Sequence, residues 1–235
     1  TFLAACSGSK DSKSASKKDT TYGYVYNDDP TTLDYTVSSK ASVHDITTNG
    51  VDGLLANDKY GNLVPSIAED WSVSKDGLTY TYKIRKGVKW YDADGEEHGE
   101  VTAHDFVTGL KHAADKKSET LPLVQGSVKG LKDYVDGKIT DFSQVGIKAV
   151  DDYTLEYTLN QPETFWNSKT TNGVLMPING EFLESKGDNF GQPGDVKSIL
   201  FNGPFLLKSI TSKRCGICHC HFWLQAACSR TTRAL

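Results

Sequence analysis

Between Glu69 and Trp90 the chain reads EDWSVSKDGLTYTYKIRKGVKW. After the Lys75-Asp76-Gly77 segment, Leu78, Tyr80, Tyr82 and Ile84 share one parity, and Thr79, Thr81, Lys83 and Arg85 the other. A period of two with apolar residues on one side is met by a strand that buries one face and wets the other. Lys75-Asp76-Gly77 predicts the turn of an antiparallel hairpin, because Asp-Gly tolerates the backbone such a turn requires. The same signature returns from Val145 to Leu159, where Tyr153, Leu155, Tyr157 and Leu159 alternate with Thr154, Glu156 and Thr158. Asp151-Asp152 turns this second hairpin, and Pro162 ends it.

Helices are predicted between and around the hairpins. Thr102 caps a helix whose Asp105, three residues on, reaches back to it. Ala103, Phe106, Val107, Leu110, Ala113 and Ala114 form its apolar stripe. A helix is expected over Ser42–Leu55, weakened by Gly50 and Gly53, with short ones at Glu163–Ser168 and Gly180–Ser185. Tyr22, Tyr24 and Tyr26 alternate as a first strand, followed by a turn over Asn27–Asp34. Asn202-Gly203-Pro204 turns into a last strand with Phe205, Leu207 and Ser209 on one side. Strands and helices mix without a regular repeat, so the fold class is α/β in the mixed α+β sense.

With 235 residues, 37% of them hydrophobic, the chain can bury one large or two small cores. No run approaches the roughly 18 apolar residues of a membrane-spanning helix. The net charge of −4 lacks the basic excess of a nucleic-acid binder. Of five cysteines, Cys6 stands alone and four fall between Cys215 and Cys228, which is not a disulfide framework. Leu3-Ala4-Ala5-Cys6 resembles the end of a bacterial lipoprotein signal peptide, with Cys6 taking the lipid. Ser7 to Thr20, almost all Ser, Lys, Asp, Gly and Ala, then reads as a solvated tether.

Reactive constellations are weak. Asp28-Asp29 and Asp151-Asp152 are adjacent acids in turns, not carboxyls set across a substrate. His44, His98, His104 and His112 lack metal spacing and are expected to be solvated or capping. No G-x-S-x-G, P-loop or dinucleotide fingerprint occurs, so neither an enzyme nor a cofactor or metal site is expected. The alternating tyrosines, with Trp71, Trp90 and Trp166, are read as packing and not as a sugar platform.

The segments Thr31-Thr32-Leu33-Asp34, Val64–Trp71, Asp76–Trp90, Val101–Phe106, Gly146–Glu156 and Asn202–Phe205 resemble, in order and spacing, the extracellular solute-binding proteins of the peptide and nickel transporter family. The resemblance is closest to the oligopeptide-binding lipoproteins of Gram-positive, streptococcal-like ABC importers. It implies the N-terminal lobe of a two-lobed periplasmic-binding-protein type II fold, hinged to close on its ligand. It also implies peptide capture through main-chain hydrogen bonds, delivery to ABC permease subunits, and lipid anchoring at the extracellular face of the cell membrane. Asp29, Pro30 and Thr31, after the first strand, are the implied ligand-binding residues; otherwise they form an ordinary connection.

Two departures stand beside this. The family chain is considerably longer, so the second lobe is expected to be missing. From Arg214 the sequence RCGICHCHFWLQAACSRTTRAL leaves the family pattern and reads as an out-of-frame tail. The expected organisation is therefore residues 1–5 as a signal-peptide remnant, 6–20 as tether, 21–213 as a partial N-terminal lobe and 214–235 as an aberrant tail. The alternatives are a truncated or decoy fragment without tight ligand binding, and a metal-binding protein using Cys215, Cys218, Cys220 and His219 or His221.

Overall fold

The computed structural model describes residues 21–24, 28–211 and 214–218. In chain order its elements are β1 (Thr21–Tyr24), α1 (Ala41–Thr47), β2 (Leu55–Asn57), β3 (Leu63–Pro65), β4 (Ala68–Val73), β5 (Thr79–Ile84), β6 (Lys89–Tyr91) and β7 (Glu97–Glu100). There follow α2 (Ala103–Asp115), α3 (Leu131–Val135), β8 (Ile147–Asp151), β9 (Thr154–Thr158), α4 (Trp166–Lys169), α5 (Gly180–Lys186), β10 (Leu206–Thr211) and β11 (Arg214–Cys218). The mixed α/β class read from the sequence is borne out.

Both expected hairpins form, and they join into one antiparallel sheet of order β4-β5-β9-β8. Asp76 makes the first turn, its Oδ1 accepting the Leu78 N–H at 3.1 Å and the Ser74 hydroxyl at 2.5 Å. Register sets Tyr80 opposite Tyr157 and Tyr82 opposite Leu155, so the apolar parity of each strand lands on the same face. That face is dry: Tyr82, Leu155 and Tyr157 are fully buried. Trp166 packs into it, its ring 5.1 Å from that of Tyr157. Helix α2 closes the face with Phe106, Leu110, Ala113 and Ala114, while Val107 is half-buried. Its capping box is formed as expected between Thr102 and Asp105.

A second, smaller core gathers Leu33, Tyr35, Ile46, Val51, Ala93, Met176, Ile178, Phe190, Ile199, Phe201, Leu206 and Leu207. Helix α2 lies between the cores. The side away from the sheet meets the chain at Met176–Ile178, where the Ile178 N–H donates to the Asp105 carbonyl at 2.9 Å. A three-stranded sheet, β1-β11-β10, belongs to this smaller region. Residues 25–27, including Tyr26 of the expected first strand, lie outside the described residues, as do Cys6 and the tether. The expected boundary at 213/214 falls between the paired strands β10 and β11.

Three expectations need correction. The helix predicted over Ser42–Leu55 stops at Thr47. Gly50 and Gly203 explain why: their backbones touch, and the Gly203 N–H donates to the Gly50 carbonyl at 2.8 Å. A Cβ on Gly203 would sit 2.9 Å from Gly50, so the chain after α1 is an extended packing surface for a distant turn. The alternation from Phe205 fails because β10 carries a register shift between Leu207 and Ser209, and Leu206 and Leu207 are both buried. Trp90 and Trp166 are core residues, but Trp71 is only half-buried.

The C-terminus of α2 leads to a prediction. Lys117 holds φ +53°, in the left-handed region, while the Ser118 N–H donates to Ala113 O at 2.8 Å and the Lys117 N–H to Ala114 O at 3.1 Å. This is a Schellman cap with lysine where glycine is usual. Lys117→Gly removes the Cβ strain and is expected to raise stability by about 0.5–1 kcal/mol, read from the denaturation midpoint.

Candidate functional site

The sequence marks residues 28–34, and the structure shows what fixes that segment. It has no regular secondary structure, so side chains and single main-chain bonds must hold it. Asp29 and Thr31 are exposed, and Pro30 between them is buried. Just beyond, the Thr32 hydroxyl and the Leu33 N–H both donate to the Gly191 carbonyl, at 2.9 and 2.7 Å. Gly191 itself has φ +68°, and a Cβ there would lie 2.6 Å from Asp34.

Asp34 is the best-connected residue of the loop. Its Oδ1 accepts the Thr36 N–H at 3.1 Å and the Thr36 hydroxyl at 2.8 Å. Its Oδ2 faces His112 Nε2 at 2.7 Å, and both side chains are 8% exposed. Phe190 stands edge-on to the imidazole, 5.4 Å between centroids. The expectation that His112 is solvated or capping is thus corrected. It is buried because it points from the second face of α2 into the smaller core. His104, one helical face away, is exposed and meets Asp152 at 3.4 Å.

The loop runs on to Lys40 with similar fastening. Ser39 donates its N–H and hydroxyl to Glu119 Oε2 at 2.8 and 2.7 Å, and the Ser38 carbonyl meets His44 Nε2 at 2.8 Å. Tyr35 donates its hydroxyl to the Pro177 carbonyl at 2.8 Å. Burial, with the Asp34 and Asp105 charges, pushes that phenol well above the usual range.

Sequence reasoning missed the surface next to this loop. A depression of about 280 Å³ is lined by Leu123, Phe165, Ser168, Lys169, Thr171 and Asn172. Leu123 is 50% and Phe165 57% exposed. Lys169 reaches under the ring of Phe165 to Glu163 Oε2 at 2.8 Å and Ser127 Oγ at 2.6 Å, so its charge is neutralised internally. Gly173, next to Asn172, abuts the Tyr35 carbonyl, which makes loop and depression neighbours. Only isolated apolar residues signalled it, and these carry no periodicity.

Asp52 lies where the chain passes from the smaller core at Val51 to the larger at Leu54. Its N–H donates to Asn202 Oδ1 at 2.7 Å. Burial pushes its carboxyl up to about 6. A raised carboxyl pKa means that the folded chain holds a proton the unfolded chain has released. Stability is therefore lost as pH rises from about 3.8 through about 6. Asp52→Asn is expected to gain about 1–2 kcal/mol at pH 7 after discounting for solvent. It gains nothing below pH about 4, as denaturant titrations at the two pH values would show.

The buried His112 and Asp34 are in direct contact with each other at 2.7 Å. Among the described residues no three His, Cys, Asp or Glu side chains could hold a metal ion. Cys215 and Cys218 fall in β11, while His219, Cys220 and His221 lie outside the described residues. Among the described residues no helix is long and apolar enough to cross a membrane.

Comparison with known proteins agrees with the fold. Residues 62–214 match the bacterial extracellular solute-binding proteins, family 5 (middle region). Oligopeptide-binding protein AmiA of Streptococcus pneumoniae is 66% identical over 211 residues, 90% of this chain and 32% of the relative. Oligopeptide-binding protein SarA of Streptococcus gordonii is 64% identical over 214 residues, with the same coverage of 90% and 32%. The structure of Listeria monocytogenes OppA bound to peptide aligns with TM-score 0.70 and 33% identity, over 80% of this chain and 36% of that one. The pheromone receptor PrgZ aligns with TM-score 0.71 and 26% identity, over 80% and 36%. The chain spans about a third of the length of the curated relatives it matches. The resemblance read from the hairpins and the Thr-Thr-Leu-Asp segment is borne out: this chain belongs to the bacterial extracellular solute-binding proteins of family 5.

Proposed function

We propose that this chain contributes one part of the capture device of an ABC importer, which takes oligopeptides from outside the cell and hands them to permease subunits. The observation that carries this is the 66% identity to a streptococcal oligopeptide-binding protein over 90% of the chain. The fastened loop supports it. Asp29 and Thr31 are exposed beside a framework of hydrogen bonds at Thr32 and Asp34. A fastened segment can meet an extended peptide main chain at little ordering cost. Pro30, buried between them, keeps φ set. In this reading Cys6 carries the lipid, residues 7–20 are the tether at the extracellular face of the membrane, and residues 214–235 depart from the frame of the parent.

The test is a transplant. Residues 21–211 replace the matching segment of pneumococcal AmiA, and calorimetry follows a random pentapeptide pool. Micromolar or tighter binding is expected. Thr31→Pro, which deletes one main-chain N–H, is expected to weaken it by about tenfold, the worth of one hydrogen bond. A folded chimera that binds no peptide overturns the proposal.

A further inference from the structure

We propose that the Asp34–His112 pair is the lock that positions the ligand-facing loop, with His112 acting as a positioning residue from helix α2; this rests on the reading of the loop as a peptide contact. The two residues are 78 positions apart and meet at 2.7 Å. The loop has other fastenings: Thr32 and Leu33 to Gly191, Tyr35 to Pro177, Val37 and Ser39 to Glu119, and Ser38 to His44. Asp34–His112 differs in linking the middle of the loop to the body of α2, whose opposite face is set in the larger core by Phe106 and Leu110. The imidazole thus refers the position of Asp34 directly to α2, and through α2 to the four-stranded sheet.

The geometry suits a lock. The carboxylate receives three donors, two from Thr36 and one from the imidazole, so its rotation is fixed. Phe190 keeps water off the ring edge-on at 5.4 Å. A backbone shift cannot relieve the pair cheaply, because Gly191 already lies against Asp34 with no room for a Cβ. Loss of the imidazole N–H would leave a buried carboxylate short of a donor, and the loop is the element free to move toward water. Removal of the lock therefore alters where Asp29 and Thr31 sit before it alters the fold.

Amide hydrogen exchange on the full 235-residue chain tests this without ligand. His112→Leu is expected to speed exchange at Leu33, Asp34 and Thr36 by about tenfold or more, the loss of one net hydrogen bond. Exchange at Leu155 and Tyr157 in β9 is expected to stay unchanged. His112→Gln, which retains an N–H donor at similar reach, is expected to restore most of the loop protection. Unchanged loop exchange in His112→Leu overturns the lock. Equal acceleration at β9 in both variants also overturns it, by assigning the pair to global stability. The same variants are then titrated with the pentapeptide pool in the chimera, where a loss with Leu and recovery with Gln is expected. Faster loop exchange with unchanged peptide affinity overturns the positioning role and leaves the peptide reading intact. A wild-type chimera that takes no peptide removes the peptide reading, while the exchange result still decides the lock.

Discussion

Trp90→Ala is expected to cost about 3–5 kcal/mol, read from urea denaturation. Trp90 is fully buried in the larger core, and its indole N–H donates to Asp105 Oδ2 at 3.0 Å. The same oxygen accepts the Thr102 N–H at 2.9 Å and so completes the cap of α2. Truncation opens a cavity and strips a donor from a carboxyl that burial already pushes up to about 6. Trp90→Phe separates the effects. It keeps most of the volume, and is expected to cost about 1–3 kcal/mol because the buried carboxylate loses the indole donor and keeps the Thr102 N–H. The pH dependence identifies the cause. With Asp105 raised, stability falls as pH climbs from about 3.8 through about 6. Without the indole N–H the folded pKa rises further, so the decline extends to higher pH. Parallel profiles for Trp90→Phe and wild type would show that the indole does not stabilise the Asp105 charge.

The second large effect is expected at Gly191→Ala. The residue holds φ +68°, which costs an L side chain roughly 1–2 kcal/mol. A Cβ would also stand 2.6 Å from Asp34, adding about 1–3 kcal/mol of overlap. The expected sum is about 2–5 kcal/mol, concentrated where Thr32 and Leu33 bond the Gly191 carbonyl. Exchange at Leu33 is expected to accelerate more than at any residue of β9. A loss below 0.5 kcal/mol, about the noise of a surface change, would show that the loop yields freely and is not held as described.

Much of this architecture was readable because the residues that decide it are near neighbours in sequence. The parity of Leu78–Ile84 and Tyr153–Leu159 specified two half-buried hairpins, and Thr102 with Asp105 specified the start of α2. Their joining into one sheet was not specified, since Tyr80 and Tyr157 are brought opposite by distant contacts. The same limit hid the site. Asp34 was visible inside the Thr-Thr-Leu-Asp motif, but its partner His112 lies two helical turns beyond His104 on a helix whose second face shows no apolar stripe. An isolated histidine gives no sign of being buried until its carboxylate is found. Gly50 was read as a weak point of a helix, when the constraint on it is contact with Gly203, more than 150 residues later. Asp29, Pro30 and Thr31 were located by family likeness alone; what the structure adds is the fastening around them.

The division into two cores has a consequence for how the polypeptide leaves the ribosome. Nearly all of the larger core comes from the continuous stretch between Leu54 and Leu175. That stretch can condense while synthesis proceeds, since its contacts close over modest chain separations. The smaller core needs Leu33 and Tyr35 together with Phe201, Leu206 and Leu207, more than 160 residues later. Strand β1 likewise pairs with residues at 214–218. Residues 21–24 must therefore wait for their strand partner until almost two hundred further residues have emerged. It is during that interval, more than in the finished molecule, that a chaperone would find its handle.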